Sequence, residues 1–243
     1  MPAPGQGEPK RPIRSCQLLL RIACKKRGSS LHCDAFAISP AVAGSMSFRF
    51  LPDSPANAVR MPVGQTVLLD PSLRPEGSCI EVLEGMARVY CPCEETEGMT
   101  LAFLQPGDQL RTDRLCSEGV CVEALTPLLF STAAEPAVSG GYDPVNEWTL
   151  QLLRIRHLGN AEQRLHALLS LLVRRMGRRC GDWCDLPFRL THERIGELIG
   201  ATRVTTTRMI SKIRQAQLLE VPAGDTCLRL APALVESAPL AAA

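Results

Sequence analysis

The sequence lacks any apolar run of the roughly 18–20 residues that a membrane-spanning helix needs. Its first thirty residues also lack the basic head, apolar stretch and small-residue cleavage site of a secretory signal. We therefore expect a cytoplasmic protein with no membrane partner. With 45% hydrophobic and 21% charged residues among 243, the chain is long enough for one large or two ordinary domains.

Histidine is absent between Met46 and Thr132, although the chain has four: His32, His157, His166 and His192. A barrel enzyme of the cupin type binds its metal through clustered histidines and a carboxylate. Haem ligation by this stretch is also poorly supported, because the stretch contains no histidine to bind the iron. We therefore expect no enzyme activity, no metal and no cofactor.

The chain has eleven cysteines but no CxxC pair, and the nearest pairs are Cys91/Cys93 and Cys180/Cys184. An iron–sulfur cluster needs four thiolates, three of them close together in sequence. Cys16, Cys24 and Cys33 have seven and eight residues between them, which departs from that spacing. Reduced thiols in the core are the favoured interpretation.

Charge is nearly balanced, with a formal net charge of +2, so nucleic-acid binding has to be argued from local patches. Residues 1–45 carry seven Lys or Arg against two acids and show no clean hydrophobic period. This composition predicts a disordered basic tail. An alternative is that Met46 is the natural start of the protein.

Residues 46–135 show short apolar stretches divided by turn residues at intervals of about 8–12 residues, which is typical of a β-sandwich or barrel. One tight turn is expected at Pro106–Asp108. The predicted strands are Thr66–Asp70, Ile80–Val82, Ala87–Cys91, Met99–Leu104, Val120–Leu125 and Leu128–Thr132.

The hydrophobic period changes after residue 143. Trp148, Leu152 and Ile155 follow helical spacing and predict an amphipathic helix over 143–158. Asn160 is suited to cap a second helix that runs to about Met176. The apolar stripe of the first helix indicates either packing within the subunit or dimerisation, and the motif that follows favours dimerisation through Trp148, Leu152 and Ile155.

Residues 190–221 carry the features of a helix-turn-helix. Thr191 caps a short helix, Gly196 permits a close approach, and Gly200 ends that helix. Thr202 caps a second helix that runs from Arg203 to about Ile213. Leu218–Val221 and Thr226–Leu230 then flank a turn and predict a β-hairpin wing.

The second helix of such a motif enters the major groove of DNA, where Arg contacts guanine and Thr contacts phosphates or thymine methyl groups. Its outer face therefore predicts binding of double-stranded DNA. Binding of a protein by the winged domain is the alternative. The predicted interface residues are Thr202, Arg203, Val204, Thr205, Thr207, Arg208 and Lys212.

The segment THERIGELIGATRVTTTRMISKIR resembles the helix-turn-helix of the CRP/FNR family of bacterial regulators. Its TRVTTTR core is similar to that of the cyanobacterial subgroup that includes the global nitrogen regulator. VGQTVLLDP, IEVLEGMARVY and FLQPGD resemble parts of the family's cyclic-nucleotide-binding β-roll, so the resemblance spans roughly residues 58–235.

The resemblance implies an α+β fold with an N-terminal cyclic-nucleotide-binding-type β-roll over 46–135 and a long dimerisation helix over 143–158. A C-terminal winged helix-turn-helix over 160–235 and a tail over 236–243 follow. It also implies a homodimer that binds a pseudo-palindromic site and contacts RNA polymerase. Arg208 is expected to contact guanine.

Two positions depart from the family's pattern. Val204 stands where many members carry Glu, and a Val packs on a thymine methyl but accepts no hydrogen bond from cytosine. We therefore expect a thymine or adenine there, as in GTA/TAC cores, and not the TGTGA type. Thr206 replaces a buried aliphatic residue, and its hydroxyl needs a partner such as the backbone carbonyl one turn earlier.

The segment after Asp108 reads QLRTDRLCSEGVCVEA and lacks the Gly-Glu pair with which cyclic-nucleotide-binding members hold ribose. Cyclic AMP is therefore not expected to bind. Arg111 and Arg114 are weak candidates for contact with an anionic effector, since a solvated surface is the simpler interpretation. Control by an unidentified small molecule or by a protein coactivator stays open.

Overall fold

The computed structural model describes residues 21–22, 58–69, 79–92, 98–111, 119–133, 143–222 and 226–238. These residues form thirteen strands and five helices. The predicted α+β class is confirmed: a β-roll comes first, and helices with a small third sheet follow it.

The β-roll consists of two antiparallel sheets. Their strands are β1 (Arg21–Ile22), β2 (Ala58–Met61), β3 (Thr66–Leu69), β4 (Cys79–Glu84), β5 (Ala87–Cys91), β6 (Met99–Leu104), β7 (Gln109–Arg111), β8 (Val120–Ala124) and β9 (Leu128–Ala133). One sheet has the strand order β1-β3-β8-β5-β6, and the other has the order β2-β9-β4-β7.

The interior of the roll is filled by apolar side chains that alternate along the strands. Ile80, Val89 and Phe130 are at most 1% exposed, so side chains of both sheets meet in one apolar layer. Burial of this layer is the main force that holds the two sheets together.

Two helices connect the roll to the C-terminal part, and side chains cap both N-termini. The Asp143 carboxylate accepts from the Val145 N–H at 3.0 Å and begins α1 (Pro144–Arg156). The Asn160 side chain accepts from the Gln163 N–H at 2.8 Å and begins α2 (Ala161–Met176), as the sequence predicts.

The C-terminal part combines helices with a third sheet. Its elements are β10 (Arg178–Cys180), β11 (Trp183–Leu186), α3 (His192–Ile199), α4 (Arg203–Gln215), β12 (Leu219–Glu220), β13 (Leu228–Leu230) and α5 (Pro232–Glu236). The sheet has the strand order β10-β11-β13-β12. Helix α5 lies against α2, where the buried Ser170 hydroxyl donates to the Val235 carbonyl at 2.9 Å.

Three aromatic side chains join the roll to the C-terminal part. Phe103 on β6 meets Trp148 on α1 edge-on at 5.1 Å and stacks against Phe188 at 6.2 Å between ring centroids. All three are at most 2% exposed, so the two parts share a continuous apolar core. This core fixes the helix-turn-helix on the roll.

The structure adds elements that the sequence does not predict, namely β2, β7, β10, β11 and α5. Arg21–Ile22 pairs with β3, although residues 1–45 are predicted to be disordered; the other residues of that stretch lie outside the described ranges. Ala238, in the predicted tail, is buried. No described helix is long and apolar enough to span a bilayer.

Candidate nucleic-acid interface

The two helices of the predicted motif are held in place by local hydrogen bonds at their ends. The Thr191 hydroxyl accepts from the Arg194 N–H at 3.2 Å and begins α3. Gly200 ends α3 in the left-handed conformation at φ 64°, and the Thr202 hydroxyl accepts from the Thr205 N–H at 3.2 Å to begin α4. A helix-turn-helix is therefore present where the sequence predicts it.

Gly196 and Thr206 lie at the closest approach of α3 to the start of α4. A β-carbon on Gly196 would lie 2.6 Å from the Ala201 carbonyl oxygen and 3.1 Å from the Thr206 hydroxyl oxygen. That hydroxyl is fully buried and donates to the Thr202 carbonyl at 3.0 Å. The predicted partner for Thr206 is thereby confirmed.

All seven residues of the predicted DNA interface are exposed, and all lie on α4 or at its cap. Thr206, Ile210 and Ile213 face inward and are buried, so the sequence pattern separates the two faces correctly. Val204 is 59% exposed.

The side chains of this face differ in whether they already form hydrogen bonds within the protein. The Thr207 hydroxyl donates to the Arg203 carbonyl at 2.9 Å, and the Thr202 and Thr205 hydroxyls lie 3.0 Å apart. Among the described residues, by contrast, the guanidinium groups of Arg203 and Arg208 make no hydrogen bond or ion pair. These two side chains are therefore available to a ligand.

Lys212 lies further along α4 and forms an ion pair across to α2. Its ammonium nitrogen is 2.9 Å from the Glu162 carboxylate, and this hydrogen bond holds the pKa of Glu162 below its usual value. Both side chains are largely exposed, so the pair is weak in water and leaves Lys212 free to exchange partners.

His192 is a member of this surface that the sequence does not reveal. Its Nδ1 atom is 2.9 Å from the Thr207 hydroxyl oxygen, across the crossing of α3 and α4. Partial burial lowers the pKa of His192, and the positive charges of Arg203, Arg189 and Arg214 lower it further. Fifteen residues separate His192 from Thr207, so only the crossing of the helices brings them together.

The two strands of the predicted wing are present after α4 and pair with each other. Leu219 pairs with Leu230 and Glu220 with Arg229, and β13 also pairs with β11. The strands are shorter than predicted, and residues 223–225 at the tip lie outside the described residues.

Comparisons with known proteins agree with this architecture. Residues 59–145 match the family model described as the cyanobacterial CRP family N-terminal domain, and residues 163–235 match the Crp-like helix-turn-helix domain. The chain is 32% identical over 141 residues to the regulatory protein CysR of Synechococcus elongatus, covering 56% of this chain and 68% of that protein. The chain belongs to the CRP/FNR family.

A second relative and two solved structures are also similar to this chain. The global nitrogen regulator of a Nostoc species is 33% identical over 75 residues, which cover 31% of this chain and 32% of that protein. FixK2 from Bradyrhizobium japonicum aligns with a TM-score of 0.58 at 16% identity, over 76% of this chain and 98% of that one. A CRP/FNR regulator from Thermus thermophilus aligns at 0.54 and 18% identity, over 75% of this chain and all of that one. The structural likeness confirms the fold.

Of the two weak effector candidates, only Arg111 lies within the described residues. Arg111 is the last residue of β7 and is half-buried. In the sheet it lies opposite Cys79 of β4. Arg114 lies outside the described residues. A role of either side chain in effector binding stays a prediction.

The predicted dimerisation residues are buried within one subunit and do not form an outer surface of α1. Trp148, Leu152 and Ile155 are 2%, 7% and 1% exposed within a single subunit, because this face of α1 packs on the roll and on the C-terminal part. These side chains cannot form an intersubunit surface without unpacking the core. On α1, Leu150 and Leu153 are instead 50% and 53% exposed.

A buried polar network connects the β-roll to the first helix of the helix-turn-helix. The fully buried Arg88 on β5 lies 3.2 Å from the Glu197 carboxylate on α3 and 3.0 Å from Glu123 on β8. Glu197 also accepts from the Thr100 N–H at 2.8 Å. Burial lowers the pKa of Arg88, with Arg194 acting in the same direction, and the two carboxylates oppose this shift.

Proposed function

We propose that this CRP/FNR regulator binds a pseudo-palindromic duplex DNA site as a homodimer and inserts α4 into the major groove. The observation that carries the proposal is the outer face of α4, where Arg203 and Arg208 are exposed and make no ion pair within the described structure. A helix-turn-helix uses the early residues of its second helix to contact base edges.

Arg208 is proposed to contact guanine, and Arg203 to contact bases or phosphates. A guanidinium group donates to guanine O6 and N7 together, which gives about 1–3 kcal/mol of discrimination against another base. The hydroxyl of Thr207 forms hydrogen bonds with the Arg203 carbonyl and with His192. Its methyl group is therefore proposed to contact a thymine methyl.

Val204 is proposed to select a thymine or adenine at its position. Its exposed isopropyl group packs on a thymine methyl but offers no acceptor for the amino group of cytosine. A GTA/TAC type of half-site is therefore expected.

The dimer is proposed to form through the outward face of α1, with Leu150 and Leu153 in place of the buried residues predicted from the sequence. A twofold axis along this helix pairs the same side chains of both subunits. It also sets the two α4 helices about one turn of DNA apart, near 34 Å.

Cyclic AMP is not expected to be required, because the ribose-binding Gly-Glu pair is absent from the sequence after Asp108. A small-molecule effector or a protein coactivator is proposed to act through the roll, and RNA polymerase is the expected partner at promoters. The protein is expected to act in the cytoplasm.

Selection of bound duplexes from a random pool, together with mapping of occupied sites in the genome, tests the proposal. The expected result is an inverted repeat whose half-sites have the GTA/TAC type. Val204→Glu should shift the preferred base pair at one position of each half-site towards C·G, because Glu accepts from the cytosine amino group. Val63→Glu, at a similar exposure of 52% in the roll, is the control and should leave the motif unchanged.

Enrichment of the TGTGA type by the wild-type protein would contradict the role of Val204. Failure to enrich any duplex, combined with tight binding of a protein, would replace DNA by a protein as the ligand of the winged domain.

A further inference from the structure

His192 contacts the Thr207 hydroxyl in the free protein. This hydroxyl oxygen lies 2.9 Å from the Arg203 carbonyl oxygen and 2.9 Å from His192 Nδ1. When the hydroxyl donates to the carbonyl, it accepts from Nδ1, which then carries the ring proton. In that neutral tautomer, Nε2 is an acceptor.

Nε2 has no hydrogen-bond partner among the described residues, and it is not one of their buried unpaired polar atoms. The side chain is partly exposed at the first residue of α3. Nε2 therefore has access to solvent and to a ligand that approaches this end of the helix-turn-helix.

The charges that lower the pKa of His192 belong to three arginines. Arg203 and Arg214 belong to α4, and Arg189 precedes α3. All three are exposed, as is Glu193, the next residue of α3, whose charge faces water. Together with partial burial, the guanidinium groups lower the pKa of His192 and keep the ring neutral at pH 7.

We propose that His192 takes up a proton when the helix-turn-helix binds the DNA backbone, and that its Nε2–H then donates to a phosphate oxygen. The first helix of this motif crosses the sugar–phosphate backbone while the second enters the groove. A phosphate oxygen within hydrogen-bond distance of Nε2 stabilises the charged ring directly, and its negative charge opposes the guanidinium charges of Arg189, Arg203 and Arg214. The inference rests on the DNA-binding function proposed above and adds proton linkage to it.

Binding that takes up a proton becomes tighter as the pH falls. The increase begins as the pH drops through the pKa of His192 in the complex and levels off below its pKa in the free protein. DNA affinity at constant salt should therefore rise by several-fold to about tenfold between pH 8 and pH 5.5.

The test compares the wild type with His192→Asn on the selected duplex, by measuring Kd across this pH range at fixed ionic strength. Asn keeps a donor at the position of Nδ1 for Thr207 but does not titrate, so a purely structural role of His192 would leave the pH slope unchanged. The expected result is that the affinity of the wild type rises towards pH 5.5, whereas that of His192→Asn, whatever its value at pH 8, stays level. His166→Asn is the matched control, since His166 lies on α2 beside Glu162 and Lys212, and it should keep the slope.

Proton NMR of the four histidines gives a readout that does not depend on the variant's affinity. The resonance that disappears in His192→Asn should titrate at a higher pKa with the duplex bound than without it. A retained pH slope in His192→Asn, or an unchanged or lower pKa on binding, would overturn this inference alone. A wild-type protein without affinity for any duplex would overturn the proposed function as well.

Discussion

Arg88 is a fully buried cation of the β-roll that ends 3.2 Å from the carboxylate of Glu197 in the helix-turn-helix. The same guanidinium group reaches the Gly98 carbonyl at 2.8 Å, the Thr100 hydroxyl at 2.8 Å and Glu123 at 3.0 Å. Burial of a charge is tolerated only when it is paired and hydrogen-bonded. The position of α3 on the roll therefore depends on this side chain.

Arg88→Met should destabilise the protein by about 3 kcal/mol, because the partly buried carboxylates of Glu123 and Glu197 lose this cation. Among the described residues, Glu197 then keeps only the Arg194 cation, at 3.7 Å. Chemical denaturation measures the loss, and hydrogen exchange should locate it at the contact of α3 with β5 and β6. Arg60→Met is the control: Arg60 lies 3.4 Å from Glu84 with both side chains exposed, so a loss below about 1 kcal/mol is expected. Equal losses in the two variants would contradict the role given to Arg88.

Thr206→Val should leave the free energy of unfolding unchanged or raise it by up to about 1 kcal/mol. The change removes the buried hydroxyl. Its former acceptor, the Thr202 carbonyl, still accepts a hydrogen bond from the Thr206 N–H at 2.9 Å. Thr202→Val makes the same chemical change at the cap of α4 and should cost about 1 kcal/mol. Thermal unfolding of both variants checks the contrast, which would fail if Thr206→Val were the more damaging change.

Leu153→Glu should weaken self-association by about a hundredfold or more, because twofold symmetry removes two buried leucines from one interface. Sedimentation equilibrium gives the dissociation constant. Val63→Glu introduces the same charge at nearly the same exposure in the roll and should leave the dimer intact. Dissociation by Val63→Glu, or a dimer unaffected by Leu153→Glu, would remove α1 from the interface.

Tyr90 should ionise well above the usual range, since burial raises its pKa from 10.0 to about 12. The folded state holds the proton more tightly than the unfolded state, so this contribution to stability is complete below pH 10. It is lost as the pH rises to about 12. The chain has two tyrosines, so an absorbance titration at 295 nm should lose its late step in Tyr90→Phe. Ionisation of both tyrosines near pH 10 would contradict the burial of Tyr90.

The sequence predicts best what is encoded locally. Strands β5 and β6 begin and end where predicted, because their apolar residues are bounded by turns. The acceptor of the Thr206 hydroxyl is also predictable, since it lies one helical turn away. Strand β10, by contrast, is exposed along its length and carries no alternating pattern that could identify it.

The sequence fails where the answer depends on packing between distant elements. Helix α1 has apolar residues on two sides, and its spacing alone cannot tell which side covers the roll; the structure buries Trp148 and exposes Leu153. The contact between His192 and Thr207 likewise exists only after α3 and α4 cross. Tertiary contacts such as these have no signal in a single sequence.

The most direct test of a DNA-binding α4 is the affinity of Arg208→Glu for the selected duplex, measured from low to moderate salt. The variant should bind at least about tenfold more weakly, and its affinity should depend less steeply on salt, because a base contact and a positive charge are lost. Arg60→Glu, a charge reversal on the roll, should bind like the wild type. Unchanged affinity and salt dependence in Arg208→Glu would contradict the proposal that this helix face binds DNA.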